Sequence, residues 1–143
     1  MIGRTNKTLQ LHVLIVEDQL ATTDSTRGRA LHDLVSEFRH RNVELVQARS
    51  YDDGHAAIVS DAGFHCIFVD WTLGDDTDEH HTEVMQLLRL IRQRNSNVPI
   101  FLMADRAAKQ TLTVEAMELA DEFVWTLEDT APFIVGRALA AVD

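Results

Sequence analysis

The chain is poor in the residue types that mark several classes of protein. Its one cysteine, Cys66, excludes an intramolecular disulfide and favours a reducing, cytoplasmic location. It contains no run near the roughly 18 apolar residues that a membrane-spanning helix needs. The polar segment 1–10 lacks the apolar core of a signal peptide, and we expect it to be a disordered lead. No membrane association is therefore expected.

Basic residues are also scarce. The 143 residues include 13 Lys or Arg against 23 Asp or Glu, which gives a net charge of −10. Nucleic-acid binding draws on clustered basic side chains, and no such cluster stands out beyond short helix faces. Nucleic acid is therefore not expected as a partner. The hydrophobic fraction of 45% is enough for one domain with its own core.

The apolar pattern alternates between the strand type and the helix type along the chain. Short apolar runs predict strands at 11–16, 43–48, 64–70, 98–103 and 122–125. Helical spacing predicts helices at about 29–41, 51–63, 84–91, 106–120 and 129–142. This order predicts one α/β domain over 11–143, a (βα)5 three-layer sandwich. Its five-stranded parallel sheet is expected to have the flavodoxin-like strand order 2-1-3-4-5.

Three carboxylates fall at the ends of strands that this topology makes neighbours. Glu17 and Asp18 follow the first strand, and Asp70 ends the third. Ligands bind beyond the carboxyl ends of strands at such a switch point. Converging carboxylates either bind a hard cation such as Mg²⁺ or are simply solvated acids at strand ends. Spacing alone leaves both interpretations open.

The segments "VLIVEDQ" and "CIFVDWTLGDD" resemble the first and third strand motifs of response-regulator receiver domains, which are CheY-like. The resemblance implies that Glu17, Asp18, Asp70 and the backbone carbonyl of Thr72 bind Mg²⁺, weakly in this chain. It also implies that Asp70 accepts a phosphoryl group from a histidine kinase in a two-component phosphorelay.

Two positions depart from the receiver pattern. Receivers carry Thr or Ser at the end of strand four, where this chain has Ala104, and lysine after strand five, where it has Thr126. Both groups engage the phosphoryl oxygens in that family, so the switch half of the site is lost. Arg106 and Lys109, just beyond strand four, are the candidate substitute cations.

A second resemblance lies in the tail, "DEFVWTLEDTAPFIVGRALAAV", and in "NVPIFLMADR" and "DEHHTEVMQLL". These segments are similar to the receiver-like N-terminal wing domain of bacterial inducible arginine, lysine and ornithine decarboxylases. In that family the wing assists assembly, and catalysis belongs to a later domain that binds pyridoxal phosphate (PLP). The resemblance implies no PLP in this chain and no catalysis by it alone. It could be a fragment of such an enzyme or a free-standing relative.

Three functions remain open at this point. The first is a pseudo-receiver regulatory or assembly domain that self-associates or contacts the remainder of a decarboxylase. The second is a genuine phospho-acceptor. The third and weakest is a flavin binder, because the acids of "EDQLATTD" would repel a flavin phosphate. We expect His80 and His81 to lie at a solvated helix start, with a pH-sensing role left open.

Overall fold

The structure, a computed structural model, describes residues 10–18, 25–60, 62–73 and 78–142. The strands are β1 (His12–Val16), β2 (Glu44–Ala48), β3 (Cys66–Asp70), β4 (Ile100–Ala104) and β5 (Glu122–Trp125). The α-helices are α1 (Thr26–His40), α2 (Tyr51–Val59), α3 (Asp78–Arg94), α4 (Val114–Leu119) and α5 (Ala131–Val142), and a 3-10 helix spans Arg106–Thr111. The predicted lead at 1–10 lies almost entirely outside the described residues.

The five strands form one parallel sheet in the order β2-β1-β3-β4-β5, which confirms the predicted fold. Helices α1 and α5 contact each other, and α3 contacts both α2 and α4. No helix among the described residues is long and apolar enough to cross a bilayer.

The sheet separates two apolar layers, because successive side chains of a strand point to opposite faces. Val13 and Ile15 pack with α1 and α5, whereas Leu14 and Val16 pack with α2 and α3. Every residue of β3 and β4 is buried, as the near-continuous apolar runs predicted. The carboxyl ends of β1 and β3 are therefore fixed by a core on each side.

The single helix predicted at 106–120 is wrong, because the structure has two separate helices there. The 3-10 helix ends at Thr111, and α4 begins only at Val114. The hydroxyl of Thr113 accepts a hydrogen bond from the backbone N–H of Ala116 and so caps a new helix. A threonine that caps a helix start cannot continue the preceding helix, since its backbone is extended.

Helix α2 also ends earlier than predicted. It stops at Val59, and the hydroxyl of Ser60 donates to the carbonyl of Ala57. Gly63, which we expected to end this helix, lies beyond it with a φ of 68°. That left-handed conformation suits glycine.

Two helical glycines differ in their surroundings. A Cβ atom added at Gly54 in α2 would lie 3.0 Å from Cγ1 of Val16, whereas one added at Gly136 in α5 would meet nothing within 4 Å. The absence of a side chain at Gly54 thus lets α2 approach β1.

This difference predicts that substitution by alanine changes stability differently at the two positions. Gly136→Ala should raise the free energy of unfolding by about 0.5–1 kcal/mol, because alanine favours helix over glycine. Gly54→Ala should bring no such gain, since Val16 must move to admit the methyl group. Urea denaturation of both variants measures the difference. An equal gain at both positions would contradict the close packing of α2 on β1.

Candidate functional site

The carboxyl edge of the sheet gathers the three acids that the sequence singled out. Each of Glu17, Asp18 and Asp70 offers an oxygen within 4.8 Å of an oxygen from the other two. The predicted convergence is therefore confirmed. Glu17 and Asp70 are fully buried, while Asp18 is partly exposed. Two of the three acids are thus not the solvated strand ends of the simpler interpretation.

A cation from the chain itself lies among these acids. Arg27, in the first turn of α1, places its Nη2 atom 2.5 Å from Oδ1 of Asp70 and 3.3 Å from Oε2 of Glu17. The same nitrogen donates to the hydroxyl of Thr72 at 2.8 Å. Only 19% of the Arg27 side chain is exposed. The buried negative charge of the crevice is thus compensated by a largely buried guanidinium.

Thr72 and Asp105 complete the surroundings of this guanidinium. The backbone N–H and the hydroxyl of Thr72 both lie 3.2 Å from Oδ1 of Asp70, so Thr72 orients this carboxylate. Asp105 follows β4, and its Oδ2 lies 3.9 Å from Nη1 of Arg27. Its carboxylate also accepts a hydrogen bond from the backbone N–H of Ala108, at the start of the 3-10 helix. Groups from β1, β3, β4 and α1 therefore meet at one point.

The buried acids share their protons unequally. Burial, reinforced by the charge of Asp70, raises the pKa of Glu17 to about 10. Burial also raises the pKa of Asp70, although the Arg27 guanidinium opposes that rise. Burial lowers the pKa of Arg27, but the charges of Asp70 and Glu17 outweigh it and the net shift is upward. Because Asp70 lies closer to the guanidinium, Glu17 is the acid that keeps a proton at neutral pH.

The crevice can be compared with the needs of a divalent cation. Mg²⁺ binds carboxylate oxygens at about 2.0–2.1 Å and fills its other positions mainly with water. Here a guanidinium nitrogen stands against the oxygens of Asp70 and Glu17 that such an ion would use. The carboxylates suit Mg²⁺ chemically. With Arg27 in this position, however, the crevice does not fit the ion.

The two departures from the receiver pattern have clear structural consequences. Ala104 is buried at the end of β4 and offers only a methyl group. Both the backbone N–H and the hydroxyl of Thr126 donate to the carbonyl of Ala104, at 3.0 Å and 3.2 Å. The proton of the Thr126 hydroxyl is therefore already donated to a backbone carbonyl at the carboxyl edge of the sheet.

The candidate substitute cations lie in another setting. Arg106 forms an ion pair with Glu128 and lies 6.0 Å from the ring centre of Trp125. Lys109 also lies 6.0 Å from that ring. Asp70 is contacted instead by Arg27, which the sequence analysis did not select.

The two histidines of α3 do not share one environment. His81 is buried and stacks on Trp71 at 4.5 Å between ring centres, whereas His80 is only partly exposed. The expectation of a solvated helix start is therefore wrong for His81. Trp71 is fully buried and donates from its indole N–H to the hydroxyl of Thr111 at 2.8 Å. These contacts hold α3 and the 3-10 helix against the residue that follows Asp70.

Sequence signals existed for two of the three residues that were missed. Arg27 had no such signal, because the predicted helix began only at about residue 29, whereas α1 begins at Thr26 and so includes Arg27 in its first turn. Asp105 directly follows the fourth strand, where the strand-end rule also applied. His81 continues the inward face of Val84, Leu88 and Ile91.

The shared charge predicts a non-additive double mutant. In Glu17→Gln, the Asp70 carboxylate still pairs with Arg27. In Asp70→Asn, Glu17 can lose its proton and pair with Arg27 instead. Each single variant should lose about 1 kcal/mol of stability. The double variant should lose roughly 2 kcal/mol more than their sum, because it leaves a buried cation without its two nearest acids.

Denaturant titrations of the four proteins give this coupling energy. Asp33→Asn combined with Glu118→Gln serves as the control, since both acids are exposed, and that pair should be additive. Additive losses at Glu17 and Asp70 would show that the two acids do not share Arg27.

Comparison with known proteins links the chain to one enzyme family. Residues 26–143 match the family described as Orn/Lys/Arg decarboxylase, N-terminal domain. The chain is 38% identical over 133 residues to the biodegradative arginine decarboxylase of Escherichia coli, covering 92% of this chain and 17% of that protein. The chain therefore spans less than a fifth of the length of this relative.

Solved structures give the same picture of the fold. Lysine decarboxylase A from Pseudomonas aeruginosa superposes with a TM-score of 0.78 at 23% identity, over 95% of this chain and 18% of that one. A response regulator receiver domain protein from Clostridium thermocellum superposes with a TM-score of 0.69 at 14% identity, over 92% and 94%. The fold is thus that of CheY-like receivers, and by its sequence the chain belongs to the Orn/Lys/Arg decarboxylase N-terminal domain family.

Proposed function

We propose that this chain is a non-catalytic assembly and regulatory domain of a PLP-dependent basic amino acid decarboxylase. Its family membership is the observation that carries this proposal. Its partner is the remainder of such a decarboxylase or a second copy of the domain. A cytoplasmic location agrees with a single free and buried cysteine.

The chain's own residues support a role without catalysis. The cofactor Schiff base in this family needs a lysine in a Ser-x-His-Lys setting, which neither Lys7 nor Lys109 has. Asp70, the candidate phosphoryl acceptor, is held by Arg27 and Thr72. The crevice therefore has the character of a packed structural centre.

Exposed apolar side chains suggest where contacts with the remainder of the enzyme would form. Val114, Met117, Leu127 and Phe133 each have a large exposed fraction, from 45% to 68%. All four lie between the start of α4 and the first turns of α5. These segments flank β5, an edge strand of the sheet, and exposed apolar side chains around such an edge are typical of protein–protein contacts.

A chimaera tests the assembly role. This chain would replace the corresponding N-terminal residues of the Escherichia coli arginine decarboxylase, and light scattering would give the molar mass of the product. The chimaera should form assemblies of the same size as the parent enzyme, whereas deletion of the domain should yield smaller ones. Unchanged assembly after the deletion would refute an assembly role.

Matched surface variants locate the contact within the same experiment. Met117→Ser with Phe133→Ser should weaken assembly of the chimaera, because these changes remove apolar contact area. Val46→Ser with Val59→Ser, which alters exposed apolar residues on β2 and α2, should leave it intact. The reverse result would place the contact on the other side of the domain.

The second candidate function is phosphoryl acceptance by Asp70 from a histidine kinase. The convergence of Glu17, Asp18 and Asp70 supports it, and Thr72 would add its backbone carbonyl to the set for Mg²⁺. Against it stand the methyl group of Ala104 and the engaged hydroxyl of Thr126. We therefore propose weak Mg²⁺ binding at most, and no phosphorylation switch.

Beryllofluoride, which mimics a phosphoryl group, distinguishes the two functions. With Mg²⁺ present, it should shift few amide NMR resonances of the chain, because no group at Ala104 or Thr126 favours a phosphorylated state. Large shifts reaching α4 and β5 would instead favour the phospho-acceptor function. The same titration in Asp70→Asn is the control for effects elsewhere.

A further inference from the structure

Arg27 contacts the ends of three strands from a single side chain. Its guanidinium lies beside Glu17 after β1, Asp70 at the end of β3 and Asp105 after β4, all within 3.9 Å. The arginine itself belongs to the first turn of α1. One charged group therefore joins α1 to the switch point between β1 and β3, where the strand order reverses.

The position of Arg27 is unfavourable in two local respects. A cation in the first turn of a helix faces the positive end of the helix dipole. The buried Nε atom of Arg27 has no hydrogen-bond partner among the described residues, which also costs free energy. A residue that breaks two local rules needs a compensating gain. The contacts with Asp70, Glu17 and Thr72 provide that gain.

We propose that Arg27 is a built-in counter-cation that takes the position of a divalent metal ion and so keeps the domain in one metal-independent state. A divalent ion and the Arg27 nitrogen cannot both contact Asp70 Oδ1 and Glu17 Oε2 from the same side. The guanidinium is always charged. It is also tethered to α1, so its effective concentration at the carboxylates is high and does not depend on the medium.

The inference concerns the free chain and does not rest on assembly with a decarboxylase. It assigns Arg27 a role as competitor of metal ions, which differs from a plain contribution to stability. A purely stabilising arginine would leave Mg²⁺ affinity unchanged when it is replaced. A competing arginine would raise that affinity when it is removed.

The test is a calorimetric titration of the whole chain with Mg²⁺ alone. Arg27→Met removes the charge and keeps an unbranched side chain. This variant should bind Mg²⁺ at least about tenfold more tightly than the parent protein, because three converging carboxylates lose their competing cation. Adding Asp18→Asn to Arg27→Met should abolish the gain.

Arg29→Met is the matched control, since Arg29 lies on the same helix and is exposed. Its guanidinium donates a hydrogen bond of 3.5 Å to the hydroxyl of Thr26, on the same helix and away from the three acids. This variant should bind Mg²⁺ as the parent protein does. Equal affinity of the parent protein and Arg27→Met would overturn the proposal.

NMR of the arginine side chains keeps the test decisive if Arg27→Met folds poorly. In the parent protein, the Arg27 guanidinium signals should stay unchanged at low millimolar Mg²⁺, because the ion does not displace the side chain at that concentration. Signals that move to those of a free arginine would refute the proposal. A poorly folded Arg27→Met should regain its circular dichroism with Mg²⁺, and failure to do so would also count against it.

Discussion

The contact between the Arg27 guanidinium and the buried carboxylate of Asp70 is the constraint on which the carboxyl edge depends. The topology forces Glu17 and Asp70 together, because β1 and β3 are neighbours and both end at the same edge. Two buried acids this close cannot both ionise without a cation. The chain meets this demand with one proton on Glu17 and one guanidinium from α1. The position of α1 over the sheet is thereby tied to the charge state of the crevice.

The residues around this contact stabilise it, and their polar groups form hydrogen bonds within the protein. Thr72 donates to Asp70, and the Thr126 hydroxyl is bound to the Ala104 carbonyl. Trp71 lies between the stacked ring of His81 and the hydroxyl of Thr111. The hydroxyls of Thr72 and Thr126 and the indole N–H of Trp71 are each hydrogen-bonded inside the protein, which restricts their motion. Such an edge suits a domain whose surface makes contacts while its centre stays unchanged.

The sequence predicted what depends on periodicity and topology, and it missed what depends on the reach of single side chains. Alternating strand and helix patterns gave the sheet order, and strand ends gave the convergence of Glu17, Asp18 and Asp70. The contact of Arg27 depends on where α1 begins and how its side chain extends, which no local pattern encodes. The wrong expectation for His81 has another cause, because its spacing to Val84 already placed it on the inward face of the helix. The break before Val114 follows from a competition between capping and continuation at Thr113 that propensity alone does not decide.

The receiver-like fold and the replacement of two receiver switch residues by Ala104 and Thr126 can be reconciled through the nature of the cation. A metal ion and a phosphoryl group are exchangeable, so a site that binds them has at least two states whose populations a ligand can shift. A guanidinium on the chain does not exchange, and the site it fills has one state. Rigid surfaces lose less conformational entropy on association than surfaces that must first be ordered. On the proposal that Arg27 takes the place of the metal ion, the domain would present the same surface to a partner at any level of metal or phosphodonor, which suits the assembly role that we propose.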